Sequence, residues 1–174
     1  NYMRLSKNFT LKELIKSDTA VRKGINNNPN EDHINNLERL ATNILQPVRD
    51  HFAKVVSVSS GYRSGELCIE IGSSLNSQHA DGCAADFEIF GVSNKEVADW
   101  IVDNLNFDQC ILEFHKPEEP NSGWVHCSYK NDEENRREYL RAFKGADGRT
   151  VYQKEYSKTT GPSTEDVNNS LIGD

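Results

Sequence analysis

Ser77-Gln78-His79-Ala80-Asp81-Gly82-Cys83-Ala84-Ala85-Asp86 is the stretch on which the reading of this chain turns, and Trp124-Val125-His126 answers it further along. His79, Asp86 and His126 supply two imidazoles and a carboxylate, a three-ligand zinc set that leaves a fourth position open for water, as hydrolytic zinc requires. Gly82 permits a tight turn between the loop carrying His79 and the strand carrying Asp86. On the later strand, period-two alternation puts Trp124, His126 and Ser128 on one face and Val125, Cys127 and Tyr129 on the other. Cys127, although adjacent to a proposed ligand, is therefore expected to point away from the metal. By the same rule Gln109, Ile111 and Glu113 share a face, and a hairpin from Glu113 to Trp124 would bring that carboxylate beside His126. There it can take a proton from water and pass it to a leaving amine, which is the chemistry of peptide-bond hydrolysis.

Outward from this stretch, local signals outline the elements. Thr10 and Glu13 form a capping box with Phe9 and Leu14 as its hydrophobic staple, predicting a short helix from Thr10 to near Ser17. Asn26 to Asn30 reads as a loop. From Asn30, Ile34, Leu37, Leu40, Ala41, Ile44, Leu45 and Val48 recur at helical spacing, with a bend or interruption expected at Pro47. Strands are expected at Val55 to Ser59, Ala84 to Ile89, Gln109 to Phe114 and Trp124 to Tyr129. A helix capped by Ser93 and Glu96 carries Val97, Ala98, Ile101, Val102 and Leu105. Glu138 to Phe143 and Arg149 to Tyr156 flank Gly145-Ala146-Asp147-Gly148 as a hairpin. Helices first, then strands with an inserted helix, is an α+β order. Residues 1–156 are read as one domain and 157–174 as a polar, flexible C-terminal tail.

Composition bounds the function. The chain has 174 residues, enough for one domain that buries roughly 70% of its unfolded surface. Acidic side chains outnumber basic ones, 27 to 20, and the net charge of -7 argues against a nucleic-acid partner, which needs a basic stripe. No apolar run approaches a membrane span, and Asn1 to Thr10 holds no apolar signal region, so neither membrane insertion nor secretion by a cleaved signal is expected. The four cysteines, Cys68, Cys83, Cys110 and Cys127, stand singly and read as reduced thiols.

The stretch Ser77 to Asp86 fits the S-x-H-x-x-G-x-A-x-D motif of the zinc D-alanyl-D-alanine peptidases. Gly61-Tyr62-Arg63-Ser64, Phe107-Asp108-Gln109 with Ile111-Leu112-Glu113-Phe114, and Trp124-Val125-His126 resemble the family's other landmarks in the same order. The nearest subgroup by resemblance is the small phage endolysin type, and His126-Cys127-Ser128 is similar to the related zinc fold of hedgehog domains. The resemblance implies a hedgehog/DD-peptidase-like fold, with a small antiparallel sheet, helices on one side and the zinc site on the other. It implies one zinc per chain on His79, Asp86 and His126, with Glu113 as general base and acid. Arg63 would bind and orient substrate or stabilise the oxyanion, and Ser77 would hold the substrate backbone; Gln109 and Trp124 face the same site as further substrate contacts. The implied activity is hydrolysis of peptidoglycan stem peptides, as a D,D-carboxypeptidase or endopeptidase, by a monomer. Such a lysin acts on the bacterial wall from the host cytoplasm before lysis, or from the virion. One departure stands out: many members carry the catalytic acid three residues before the last histidine ligand, where this chain has Gly123, and Glu118 or Glu119 compete with Glu113.

Blander readings remain beside these. Arg63 is alternatively a turn salt bridge. His115 shares Glu113's face by alternation, as a substrate contact or an exposed loop histidine, and Trp124 either walls the pocket or packs in the core. His33 and His51 are expected on the surface of the long helix, and Asp132 to Glu134 as a solvated charge cluster. The rival to the enzyme is a non-catalytic zinc-containing binding or virion module of the same fold.

Overall fold

The computed structural model describes residues 3–162. Two short strands, β1 (Arg4–Ser6) and β2 (Phe9–Thr10), pair antiparallel and lead into α1 (Leu11–Ile15). The expected cap forms: Thr10 Oγ1 accepts the Glu13 N–H at 3.3 Å, and the staple residues Phe9 and Leu14 are buried. The helix stops at Ile15 because Ser17 turns extended and caps another, α2 (Asp18–Lys23), by accepting the Ala20 N–H. That helix buries only Ala20, so its sequence carries no apolar stripe to announce it.

The long helix starts at Asn30 as expected and runs as α3 (Glu31–Leu40), one π-helical turn (Ala41–Leu45) and α4 (Gln46–Phe52). Leu37, Leu40, Ala41, Ile44, Leu45 and Val48 are all fully buried, so the helical stripe is the core face. The interruption at Pro47 is this wider turn: proline has no N–H for the fourth carbonyl back, and Gln46 N–H bonds Ala41 O instead.

Strands β3 (Ser57–Ser60), β4 (Ala84–Glu88), β5 (Gln109–Glu113), β6 (Trp124–Ser128), β7 (Glu138–Lys144) and β8 (Thr150–Lys154) form one sheet in the order β3-β4-β6-β5-β7-β8. Four of its five strand pairings are antiparallel, but β7 lies parallel to β5. The sheet is thus mixed rather than wholly antiparallel. The reason is the link after β6, which crosses the start of β5, with Arg137 N–H on Phe107 O and Glu138 N–H on Asp108 O. β7 and β8 make the expected hairpin.

Helix α5 (Gly65–Ile71), capped by Ser64, lies where no element is expected; it is short and opens on a glycine, which hides it. Helix α6 (Asn94–Asn104) lies where expected, although Ser93 makes no side-chain cap bond. Asn94 instead clamps the β5–β6 connection through Ser122 O and Gly123 O. Val97, Ala98 and Ile101 join Ala85, Phe87, Cys110, Leu112, Val125, Cys127 and the α3–α4 stripe in one core. The other side of β4, β5 and β6 lines a cleft. Ser157, the first residue of the segment read as tail, is buried, and its hydroxyl bonds Asp103 Oδ1 at 2.6 Å; residues 163–174 lie outside the described residues. No helix among the described residues is long and apolar enough to cross a membrane.

Candidate metal centre and catalytic cleft

The motif folds as a capped turn followed by a strand. Ser77 caps a 3-10 turn (Gln78–Asp81), its hydroxyl accepting the His79 N–H at 3.2 Å, and Gly82 ends the turn at φ 78°. His79 Nδ1 lies 2.7 Å from Gly61 O. A carbonyl only accepts, so Nδ1 carries the proton and Nε2 keeps its lone pair for a ligand. Gly61 itself packs where a Cβ would stand 2.2 Å from Leu14 O, which accounts for glycine at the head of Gly61-Tyr62-Arg63.

Asp86 on β4 and His126 on β6 face each other in register, with Oδ1 and Nδ1 2.9 Å apart, and His79 Nε2 stands 3.4 Å from Asp86 Oδ2. All three residues are buried, and their ligand atoms lie within 4.8 Å of one another. Tetrahedral zinc with bonds near 2.0–2.1 Å sets its donors roughly 3.3 Å apart, so this His2Asp set fits the ion. Burial pushes the Asp86 carboxyl up, but the His126 and His79 imidazoles beside it outweigh this and hold the group well below the usual carboxylate range. It stays an anion, as a ligand must.

Glu113 sits across the ladder from Trp124 and lines the same cleft, whose volume is about 1020 Å³. Burial, then the charge of Asp86, pushes its carboxyl up to about 7, against His126, Trp124 and Arg63, which pull it down. Glu118 and Glu119 are exposed on the β5–β6 turn and do not line the cleft. His115 also falls outside it. Phe114 takes φ 55°, breaking the alternation after β5, and His115 Nδ1 lies 3.2 Å from Ser122 O.

The sequence profile of the peptidase M15 family matches residues 7–128. The chain belongs to the peptidase M15 family. Peptidases of this family are zinc-dependent, in agreement with the donor set on β4, β6 and the 3-10 turn. A comparison with curated proteins finds no match.

Within this M15 cleft, Arg63 is bonded through Nη2 to Asp86 Oδ2 at 3.3 Å and through Nε to Ser60 Oγ at 2.9 Å, so it is both a salt bridge and part of the cleft wall. Ser77 lines the wall while its hydroxyl serves the cap. Gln109 Nε2 donates to Glu138 Oε1 at 2.6 Å. Trp124 is a half-buried wall residue, and its buried Nε1 has no hydrogen-bond partner of ordinary geometry. His33 is more than a surface residue: its Nδ1 accepts the Asn30 N–H, its ring lies against Tyr62, and it reaches the cleft. His51 stacks on Trp100 at 4.3 Å. The four cysteines form no disulfide and stand outside the converging donor trio, and Cys127 points into the core as alternation requires. Sequence reasoning missed Gln78, Arg136 and Tyr152 as cleft residues. Gln78 lies inside the motif at a variable position, while Arg136 and Tyr152 come from elements beyond residue 128, where only the parallel placement of β7 brings them back.

Proposed function

We propose that the protein is a zinc metallopeptidase that hydrolyses peptide bonds in peptidoglycan stem peptides, as a D,D-carboxypeptidase or endopeptidase of endolysin type acting as a monomer. The observation that carries the reading is the convergence of His79, Asp86 and His126 in an open polar cleft with Glu113 on the adjoining strand. Zinc held by those three residues would supply Lewis acidity toward the scissile carbonyl and water. Glu113 takes a proton from the attacking water and returns it to the leaving amine; a carboxyl pushed up to about 7 is suited to both halves of that task. Arg63 donates hydrogen bonds toward the developing oxyanion or the substrate's own charged groups. Trp124 walls the cleft as a further contact for the peptide, and Ser77 and Gln109 flank its path. A phage lysin stored in the host cytoplasm, or carried on the virion, would meet its wall substrate with such a cleft.

Incubation of zinc-loaded protein with purified peptidoglycan tests this directly. New amino groups should appear, and mass spectrometry of the muropeptides identifies the bond. A zinc-loaded chain that binds sacculi yet releases no amino groups would instead mark a non-catalytic wall-binding module.

A further inference from the structure

At the start of β5 the cleft ends against a guanidinium held in place from behind. Asp108 is fully buried at 0% exposure. Its Oδ1 accepts the backbone N–H and Nε of Arg136, both at 3.0 Å, and its Oδ2 accepts Arg136 Nη2 at 2.9 Å and Gln78 Nε2 at 2.8 Å. The Arg136 side chain is nevertheless 49% exposed and lines the cleft. Among the described residues its Nη1 makes no hydrogen bond. The adjacent acid, Glu138, is engaged by Gln109, and Lys130 adds a second positive charge to this part of the wall, offset in part by Asp81. A buried carboxylate that fixes one edge of a guanidinium leaves the other edge oriented outward, a geometry suited to a second carboxylate.

Position decides which half of a peptide meets it. Glu113 ends β5, Ile111 lies opposite His126 in its middle, and Gln109 begins it. At about 3.3 Å per residue, Gln109 and Glu113 stand roughly 13 Å apart on either side of the metal trio. The leaving amine must come within reach of Glu113. The departing half of the substrate therefore occupies the end walled by Trp124 and Tyr152, and the acyl half runs toward Gln109 and Arg136.

We propose that Arg136, locked by Asp108, is a specificity-determining residue that binds a carboxylate on the acyl half of the substrate, so that the cleft selects acidic peptides over their amidated forms. This rests on the peptidase reading of the same cleft.

The test uses the full zinc-loaded chain and pairs of synthetic stem peptides that differ only in whether the acidic residue on the acyl side carries a free carboxylate or a carboxamide. The protein with Arg136 should prefer the carboxylate by about tenfold or more in kcat/KM, chiefly through KM. Arg136→Gln should bring the ratio near one, and Arg136→Lys, which keeps a charge beside Asp108, should retain part of it. An ion pair with only a structural role would depress both peptides alike and leave the ratio unchanged, which overturns the proposal. Calorimetric binding to the Glu113→Gln protein separates the two readings. A carboxylate preference in binding that Arg136→Gln removes, without hydrolysis by the unaltered chain, sinks the peptidase reading alone; hydrolysis with no carboxylate preference in binding or rate sinks the role of Arg136 alone.

Discussion

Gly123 and Glu113 compete for one volume: a Cβ built at residue 123 would lie 1.9 Å from Glu113 O and 2.7 Å from the Phe114 carbonyl carbon. Gly123 also holds φ 69°, a left-handed conformation that other residues reach only with strain. Residue 123, three before His126, is thus closed to any side chain, and Glu113 offers its carboxylate to the cleft from the neighbouring strand. Gly123→Ala should cost about 2 kcal/mol or more in urea denaturation, since backbone atoms must shift. Gly123→Glu in a Glu113→Gln background should not restore hydrolysis. Recovery of even a tenth of the original rate would show that the acid can act from that strand.

Glu113→Gln separates metal holding from proton transfer. Glu113 is not among the three groups whose ligand atoms converge. The variant should bind one zinc per chain by atomic absorption while its turnover falls by about 10²–10⁴, the usual worth of a positioned acid-base group. His79→Ala should lose the metal as well as the activity. Zinc retained in His79→Ala, or turnover retained in Glu113→Gln, would reassign the respective role.

The contrast between those residues and the ones around them shows what the sequence makes legible. His79, Asp86, His126 and Glu113 are readable because chemistry confines them to a few residue types and strand alternation sets their faces. Cys127 and Val125 follow from the same alternation. His115 escapes it because one positive φ at Phe114 turns the chain, a property no local pattern carries. Helices α2 and α5 are short and bury little, so no periodicity marks them. Arg136 and Tyr152 enter the cleft through the parallel pairing of β7 with β5, a long-range choice that the hairpin signals near them do not encode.

Asp108 sets a pH dependence of stability. Burial raises its carboxyl, but the Arg136 side chain, the Arg136 N–H and the Gln78 amide together outweigh this and hold it at about 2, below its ordinary 3.8. A depressed carboxylate stabilises the fold fully above the unfolded value and progressively less as pH falls toward the folded one. The contribution is about 2 kcal/mol at neutral pH, lost between roughly pH 4 and pH 2. Asp108→Asn should lower stability at pH 7 and flatten the profile over that window in urea titrations. A profile with the same slope in both proteins would assign the acid sensitivity to other carboxylates.

Removal of the metal should leave a folded protein. The core of Leu37, Leu40, Ile44, Phe87, Val125 and Ile101 forms on the opposite side of the sheet from the trio, and Asp86 has the Arg63 guanidinium and both imidazoles as partners apart from any metal ion. This differs from small zinc modules, in which ligand binding is the folding energy. Chelation should therefore keep the far-ultraviolet circular dichroism and a cooperative melt, while lowering Tm by an amount that grows with the zinc concentration removed. Free zinc at about 100 times its Kd adds about 2.7 kcal/mol to the folded state. His79→Ala, which breaks the donor set, should melt at the same temperature with and without zinc; a zinc-dependent Tm in that variant would place the stabilising site elsewhere on the chain.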